Sequence, residues 1–331
     1  MKFRRNKKKN LRVQLYTNHS GKQTATRLKR NMLEKLKCPK CGIYTILKDG
    51  VPKRAYSFED CRRVCIDCKI GYSNAKYRPT IIHRNYLDNI PFEVTNDLDF
   101  ALDNSLNELN KKNKKSKFGY STSEDALTWS FFKYFVLKNK LKNLLNLLNI
   151  VTSESTYNLY LWGANINTNS QSTYLKDKFI EFSDFLGESP RHRTEPDVII
   201  ELNDQLIFIE VKYLSKNEIS NDKSKFLKYK VSNIDSKAMS ESGHYEIFRN
   251  WAFVSHLSKG KKFSLINLGL KKLFKDNNRE ALAKFEGLLK SSNGQFVKLA
   301  WQDIFEKIKN NSQEYDTWFI DYLEKKLTAS R

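Results

Sequence analysis

Two carboxylates and a lysine lie in an apolar, β-rich part of the chain. Runs rich in Val, Ile, Leu and Phe surround Asp197, Glu210 and Lys212. Carboxylates a few ångströms apart raise each other's pKa unless a cation lies between them, and their oxygens suit Mg²⁺ or Mn²⁺. A neighbouring lysine could orient an attacking water or stabilise charge in a transition state. The set predicts metal-dependent chemistry on a phosphate, and a cross-strand salt bridge on a solvated face is the alternative.

A β-hairpin would bring these three residues together. Two β-rich runs flank Asn203-Asp204, and because both residues tolerate positive φ, the pair predicts a two-residue type I′ turn. Asp197 would then face Glu210, with Cβ atoms about 4.5–5.5 Å apart. Lys212 follows Glu210 by two residues, so it points to the same face of the sheet.

The hairpin also resembles a known enzyme family. Pro196-Asp197 and Glu210-Val211-Lys212 resemble the motif of the PD-(D/E)XK nuclease superfamily, the fold of many restriction endonucleases. The resemblance implies that Asp197, Glu210 and the backbone carbonyl of Val211 bind Mg²⁺ or Mn²⁺, and that Lys212 assists the chemistry. It also implies an α/β fold with a restriction-endonuclease-like mixed central sheet flanked by helices.

The same family has an acidic residue on the helix that precedes the hairpin. A helix predicted to open at residue 123 offers Glu124 for this role, with Asp125 as the alternative. Ser121-x-x-Glu124 also has the pattern of a capping box, in which the glutamate only satisfies backbone N–H groups. Glu124 therefore has a structural explanation beside the catalytic one.

The remaining elements follow from hydrophobic periodicity. We expect one long helix over 123–149, a strand over 158–162, a helix over 173–186 that ends near Gly187, a buried helix within 238–257, a strand over 263–268, a helix over 281–289, a strand over 295–299, and helices over 302–310 and 315–327. Helices on both sides of a mixed sheet make a layered α/β fold.

Charge is distributed very unevenly. The chain has a net charge of +22, and residues 1–85 hold 23 Lys plus Arg against 5 Asp plus Glu, whereas residues 86–331 hold 36 against 32. Such a basic segment is typical of nucleic-acid binding through phosphate contacts. Membrane binding is less well supported, since there is no lipidation motif, no amphipathic apolar face and no apolar run that could span a bilayer. Ribosome or RNA association remains an alternative.

All five cysteines lie in this basic segment. Cys38-x₂-Cys41 and Cys65-x₂-Cys68 are two knuckles with 23 residues between them, a spacing typical of a tetrahedral Zn²⁺ site in a zinc ribbon. Disulfides are disfavoured by the odd cysteine count and by the lack of a secretory signal. Cys61 is the ambiguity, and repetition of the first knuckle's spacing favours Cys65 and Cys68 as the second pair.

Three segments follow from these patterns. We expect a basic zinc-ribbon-like nucleic-acid-binding domain over 1–88, a linker over 89–120 and a nuclease domain over 121–331. The expected nucleic-acid contacts are basic residues of the N-terminal arm and of the second knuckle: Arg4, Arg5, Arg62, Arg63, Lys69, Lys76 and Arg78.

The sequence therefore predicts a cytoplasmic, metal-dependent DNA endonuclease of restriction or anti-phage defence, acting on double-stranded DNA. One alternative is a strand-processing endonuclease of a mobile element or repair pathway that acts with partners. Another is a zinc-ribbon DNA-binding protein without catalysis. A homodimer or a larger nucleoprotein assembly is compatible with a double-strand cutter, because one such site cuts one strand at a time.

Overall fold

The structure is a computed structural model that describes residues 36–154, 156–168, 173–229, 235–275, 277–289 and 293–328. Within those residues the chain forms two β-sheets and eleven α-helices. The α/β fold class predicted from the sequence is confirmed.

The elements have the following bounds. The strands are β1 Ile46–Leu47, β2 Arg63–Cys65, β3 Ile70–Tyr72, β4 Ile81–His83, β5 Asn158–Leu161, β6 Ala164–Asn165, β7 Val198–Glu201, β8 Gln205–Val211, β9 Lys262–Gly269 and β10 Gly294–Ala300. The helices are α1 Leu98–Asp103, α2 Glu108–Phe118, α3 Glu124–Leu137, α4 Leu141–Leu147, α5 Thr173–Phe185, α6 Ser224–Leu227, α7 Ser236–Ser240, α8 Tyr245–Leu257, α9 Asn277–Leu288, α10 Trp301–Asn310 and α11 Thr317–Thr328.

The smaller sheet is antiparallel and lies in the cysteine-containing segment. Its order is β1-β2-β3-β4, and no strand is longer than three residues. Its buried apolar residues form two small clusters, one of Phe58, Cys61, Val64 and Ile82 and one of Cys38, Cys65 and Ile70. A core this small gives little stability by itself, so a bound metal would contribute much of the folding free energy of this sheet.

The larger sheet is mixed and has six strands. Its order is β10-β9-β8-β7-β5-β6, in which β8, β9 and β10 are parallel to each other while β7, β5 and β6 pair antiparallel. All seven residues of β8 are buried. Ile207 and Ile209 pack into one core with Phe131 of α3, and Phe208 packs into the opposite core with Trp251 of α8. Helices therefore cover both faces, as expected.

The hairpin has the predicted register but a different turn. Val198 pairs with Ile209 and Glu201 pairs with Leu206. Extending this register by one residue places Asp197 opposite Glu210. The two-residue loop fixes this register, since the Leu202 N–H donates to the Gln205 carbonyl at 2.9 Å on either side of Asn203-Asp204. The type I′ turn is wrong: neither Asn203 nor Asp204 has positive φ, and a type I′ turn needs it at both positions.

Two predicted helices are each split by a left-handed residue. The helix expected over 123–149 is α3 followed by α4, because Asn139 adopts φ +51° and the Lys140 N–H donates to the Phe135 carbonyl. The helix expected within 238–257 is α7 followed by α8, with Gly243 at φ +74° between them. In both places the left-handed residue closes one helix and redirects the chain.

The segment expected to be a linker, residues 89–120, is instead folded into the main core. It forms α1 and α2, and Leu98, Ala101 and Leu102 are fully buried in the same cluster as α3. These residues stand at positions i, i+3 and i+4, so they lie on one face of the helix. The linker was predicted because α2 is rich in lysine, and this composition outweighed the few apolar residues of α1.

Backbone hydrogen bonds join the small sheet to the main core. The His83 N–H donates to the Gly119 carbonyl and the Ser121 N–H donates to the Ile81 carbonyl, both at 2.9 Å. Lys326 of α11 adds two bonds, since its Nζ donates to Asn89 Oδ1 at 3.0 Å and to the Ser121 carbonyl at 2.9 Å. We call this contact the junction.

Candidate functional site

The site is built where β8 runs past its antiparallel partner. The β7–β8 ladder ends at Val198, and beyond it side-chain carboxylates replace the missing strand. Asp197 Oδ2 accepts the Val211 N–H at 2.8 Å, and Glu124 Oε2 accepts the Tyr213 N–H at 2.5 Å. Because residues two apart on a strand are about 7 Å apart and face the same way, these bonds set the spacing of the two carboxylates.

The Glu124 side chain therefore accepts a hydrogen bond from the Tyr213 N–H and does not cap its own helix. Ser123 is the N-cap of α3, with its side chain accepting from the Ala126 N–H, so the capping box predicted for Ser121 is wrong. The Glu124 carboxylate also accepts a hydrogen bond from Ser215 Oγ at 2.6 Å. Glu124 is the first residue of α3, and its long side chain can extend from the helix to the backbone just past β8.

Glu210 and Lys212 form a buried, fully bonded group. Lys212 Nζ lies 2.5 Å from Glu210 Oε1 and 2.8 Å from Glu246 Oε2. Asn250 Nδ2 donates to the other Glu210 oxygen at 2.6 Å. Both oxygens of Glu210 are thus occupied, and Lys212 lies between two carboxylates.

A cavity of about 350 Å³ brings all four predicted residues together. Glu124, Asp197, Glu210 and Lys212 line it, so the sequence-based grouping is reproduced in space. Seven further charged residues line the same cavity: Lys114, Lys117, Asp125, Arg193, Glu195, Glu246 and Arg249. We call it the acidic cavity.

Burial dominates the ionisation of this group. It raises the pKa of Asp197 to about 7, with Glu124 adding to the rise and Lys212 opposing it. Burial and the adjacent Glu246 hold the pKa of Glu210 well above its usual range. Burial disfavours the charged form of Lys212, but Glu210 and Glu246 outweigh it and keep the pKa of Lys212 well above its ordinary value. A cation that entered the cavity would favour ionised carboxylates.

The donor set suits a hard divalent cation, although its carboxylates are spread apart. Asp197, Glu210 and Glu124 offer the oxygens that Mg²⁺ and Mn²⁺ prefer. In the described part of the chain, however, three or more metal-ligating side chains come within 4.8 Å of one another only in the cysteine cluster. Since Glu210 is bonded to Lys212 and Asn250, its turning toward Asp197 would have to accompany metal binding.

Several residues of the cavity had not been expected. Lys114 comes from the supposed linker and forms ion pairs with Glu195 at 3.1 Å and Asp125 at 3.5 Å. Glu195 also accepts the Asn107 N–H at 2.7 Å. The position of Glu195 beside the Pro-Asp pair was a usable signal, and so was the i, i+4 spacing of Glu246 and Asn250. Nothing local distinguished Lys114 from the other lysines of α2.

Four cysteines form a second cluster, with the geometry of a metal centre. The Sγ atoms of Cys38, Cys41, Cys65 and Cys68 all lie within 4.8 Å of one another. Cys41 Sγ and Cys65 Sγ are 3.7 Å apart, close to the edge of about 3.8 Å that four Zn–S bonds of about 2.3 Å give a tetrahedron. Burial opposes ionisation of Cys38, but backbone N–H groups outweigh it and lower its pKa to about 7, which favours the metal-binding thiolate.

Cys61 is a core thiol. It is fully buried, its Sγ donates to the Ser57 carbonyl at 3.3 Å, and it belongs to an apolar cluster of the small sheet. Burial is the main reason that the pKa of Cys61 rises to about 12. The preference for Cys65 and Cys68 over Cys61 as the second pair of the cluster is confirmed.

The predicted nucleic-acid contacts divide by exposure. Arg62, Lys69, Lys76 and Arg78 are exposed. Arg63 is buried and its guanidinium donates to the carbonyls of residues 73 and 75, so its expected role at the surface is wrong. All three residues of β2, Arg63–Cys65, are buried, whereas Arg62 precedes the strand and is exposed. Arg4 and Arg5 lie outside the described residues.

Comparison with protein-family models, with curated proteins and with solved structures finds no match to the chain. Within the described residues, no helix has both the length and the apolar character needed to cross a membrane.

Proposed function

We propose that the protein is a metal-dependent endonuclease that hydrolyses phosphodiester bonds of double-stranded DNA. The observation that carries the proposal is the convergence of Asp197, Glu210, Lys212 and Glu124 at the open end of β8, in one acidic cavity. Carboxylates next to a lysine in a buried cavity are the donors that divalent-metal phosphate chemistry requires. The order of the motif along the chain, with its resemblance to PD-(D/E)XK nucleases, supports the same conclusion.

The residues divide the work in the proposed reaction. Asp197 and Glu210 would hold Mg²⁺ or Mn²⁺, which polarises a phosphate and lowers the pKa of a bound water. Lys212, released by Glu210 and kept in place by Glu246, would stabilise charge on the phosphate. Glu124 would complete the oxygen donors from the strand edge. The four cysteines would hold Zn²⁺ and stiffen the small basic sheet.

The biological setting that we propose is restriction or anti-phage defence in the cytoplasm, since a nuclease with its own DNA-binding module can act without other recognition subunits. A strand-processing nuclease of a mobile element or repair pathway is distinguished by a need for partner proteins before it cuts. A protein of either kind that breaks both strands would act as a homodimer or within a larger nucleoprotein assembly.

A DNA-binding protein without catalysis is the second candidate function. The observation in its favour is that Lys212 and Asn250 occupy both oxygens of Glu210, as they would in a structural ion-pair network. Such a protein would bind DNA through its basic segment and would leave plasmid intact in any divalent metal.

Plasmid cleavage tests the proposal. The full-length protein should nick or cut plasmid in Mg²⁺ or Mn²⁺ and not in EDTA. Asp197→Asn and Glu210→Gln should each lower the single-turnover rate by at least about 100-fold while leaving DNA affinity within a few fold. The matched control is Glu201→Gln, a carboxylate on the same hairpin that lies outside the cavity. Undiminished cutting by either cavity variant would rule out this active site.

A further inference from the structure

The cations that line the acidic cavity differ in what holds them. Lys212 lies between two carboxylates, Lys114 forms ion pairs at 3.1 and 3.5 Å, and Arg193 lies 2.9 Å from Asp184. Lys117 is exposed to solvent, whereas Arg249 is only partly exposed. Arg249 differs from the three paired cations. Within the described part of the chain its guanidinium makes no ion pair and no hydrogen bond, and its Nε is shielded from solvent.

Arg249 keeps its charge without a direct counter-ion among the described residues. Burial disfavours the charged form, but neighbouring groups, Glu246 among them, outweigh burial and raise the pKa of Arg249. Removing a charge from water costs free energy that a partner normally offsets. The guanidinium carbon of Arg249 lies 5.5 Å from the centroid of the Tyr245 ring. A cation–π contact offsets only a part of that cost. An anion bound in the cavity could therefore pair with the Arg249 guanidinium.

Helix α8 places Arg249 beside the carboxylate–lysine group. Glu246, Arg249 and Asn250 are three and four residues apart and therefore lie on one face of the helix. Glu246 contacts Lys212, and Asn250 contacts Glu210. The first turn of α8 faces the cavity as well, and the positive end of its helix dipole favours an anion there.

The chemistry of the cavity selects the anion. A guanidinium presents paired donors that match the oxygens of a phosphate, and it keeps its charge at any working pH. An acidic peptide would bring further carboxylates close to those already present. A phosphodiester brings one delocalised charge, which Arg249 and a divalent cation would share.

We propose that Arg249 binds a non-bridging phosphate oxygen of a nucleic-acid strand that enters the acidic cavity. The inference rests on the proposed nuclease function and names the residue that holds the substrate backbone there. Arg249 acts in binding, and Lys212 remains the lysine of the reaction.

The test couples a change in the protein to a change in single phosphates. Full-length Asp197→Asn protein, which should bind without cutting, is titrated with short duplexes that each carry one neutral methylphosphonate. At one position this replacement should weaken binding about 10-fold or more, as expected for loss of a charged hydrogen bond. Adding Arg249→Gln should weaken binding of the unmodified duplex by a similar factor, and the two losses should not add.

Matched variants separate binding from charge and from folding. Lys284→Gln removes one positive charge from an exposed ion pair with Glu241, outside the cavity, and should leave both affinity and the methylphosphonate pattern unchanged. Arg249→Gln should change Tm little, because Arg249 makes no hydrogen bond or ion pair with the described residues, whereas loss of a structural arginine would lower Tm. Arg249→Lys keeps the charge without the paired donors and should bind with intermediate affinity.

The outcomes distinguish the inference from the proposed function. Equal affinity of Arg249→Gln and its parent for every duplex, or additive losses at every position, would overturn the role of Arg249. Wild-type protein that binds DNA but cuts none in Mg²⁺ or Mn²⁺ would overturn the nuclease and leave the binding cycle to decide on Arg249. Absence of DNA binding would overturn both.

Discussion

At the scale of single residues, the unusual feature is how few side chains in the acidic cavity have only one role. Glu124 both opens α3 and satisfies a strand N–H, and Asp197 replaces a backbone partner at the end of β7. Lys212 is shared between two carboxylates that come from a strand and a helix. Because each of these side chains contacts two groups, replacing one partner should change a different property from replacing the other.

Glu246→Gln should slow cleavage without weakening DNA binding. If Glu210 turned toward a bound metal, Glu246 would be the carboxylate that still holds Lys212, so its loss would leave the ammonium group free to move. We expect the single-turnover rate to fall by about 10–100-fold, with the half-saturating DNA concentration little changed. Glu246→Asp should recover part of the rate, and Glu241→Gln, at an exposed ion pair, should cut like wild type. A variant whose loss appears only in DNA affinity would show that Glu246 does not position Lys212.

Lys326 should make stability rise with pH. Burial, aided by Lys325, lowers the pKa of Lys326 to about 7, whereas an unfolded lysine titrates near 10.4. Between these two values the unfolded chain binds more protons than the folded chain, so the free energy of unfolding increases as the pH rises from about 7 to about 10. Relative to Lys326→Met, wild-type protein should gain stability over this window, on the order of a few kcal/mol. Denaturant unfolding of both proteins at several pH values measures the difference, and parallel curves would contradict the expectation.

At the scale of elements, the hairpin was the part of the fold that the sequence specified best. Its register followed from the two-residue loop at Asn203-Asp204, which makes residue 202 face residue 205. The turn type did not follow, because Asn203 and Asp204 tolerate positive φ without requiring it. The helix breaks at Asn139 and Gly243 were missed for a similar reason: apolar periodicity continues across both, and only local backbone geometry separates the helices.

The site was predictable only where its residues are near one another in sequence. Asp197, Glu210 and Lys212 share a hairpin, so pairing alone brought them together. Lys114 reaches the cavity through the packing of α1 and α2, which no spacing rule reveals. Arg249 likewise depends on the direction in which α8 crosses the sheet.

The small sheet should depend on its four cysteines. Cys41→Ser removes one ligand of the cluster, whereas Cys61→Ala removes a buried thiol outside it. We expect wild type and Cys61→Ala to contain about one zinc per chain and Cys41→Ser to contain much less. Chelation should also abolish the amide protection of β2 and β3 while leaving that of β8 and β9, measured by hydrogen exchange. Equal zinc content in all three proteins would show that the cysteines do not form the site.

At the scale of the whole molecule, a basic module accompanies a nearly neutral core. The net charge of the first 85 residues accounts for most of the +22 of the chain. Exposed residues such as Arg62, Lys76 and Arg78 are available to phosphates, whereas Arg63 is used inside the sheet. This difference between neighbours provides a matched pair for testing the DNA-binding surface.

Arg62→Gln combined with Lys76→Gln and Arg78→Gln should weaken binding to any DNA sequence. Each lost phosphate contact should reduce the slope of log affinity against log salt by about one. Tm should change little, because these side chains are exposed. Arg63→Gln should do the reverse, lowering Tm through its buried bonds while keeping the salt slope. Titrations at several salt concentrations decide, and an unchanged slope in the triple variant would remove this surface from the DNA interface.

The junction between β4 and residues 119–121 has one more consequence. Its backbone hydrogen bonds and those of the buried Lys326 hold the described part of the basic segment, residues 36–85, against the core. This attachment would set a fixed distance between the two sites. DNA bound by the basic segment would reach the acidic cavity a constant number of base pairs away from its binding position. The spacing between binding and cutting would then be a property of the fold, and lengthening the chain at Gly119 would change it.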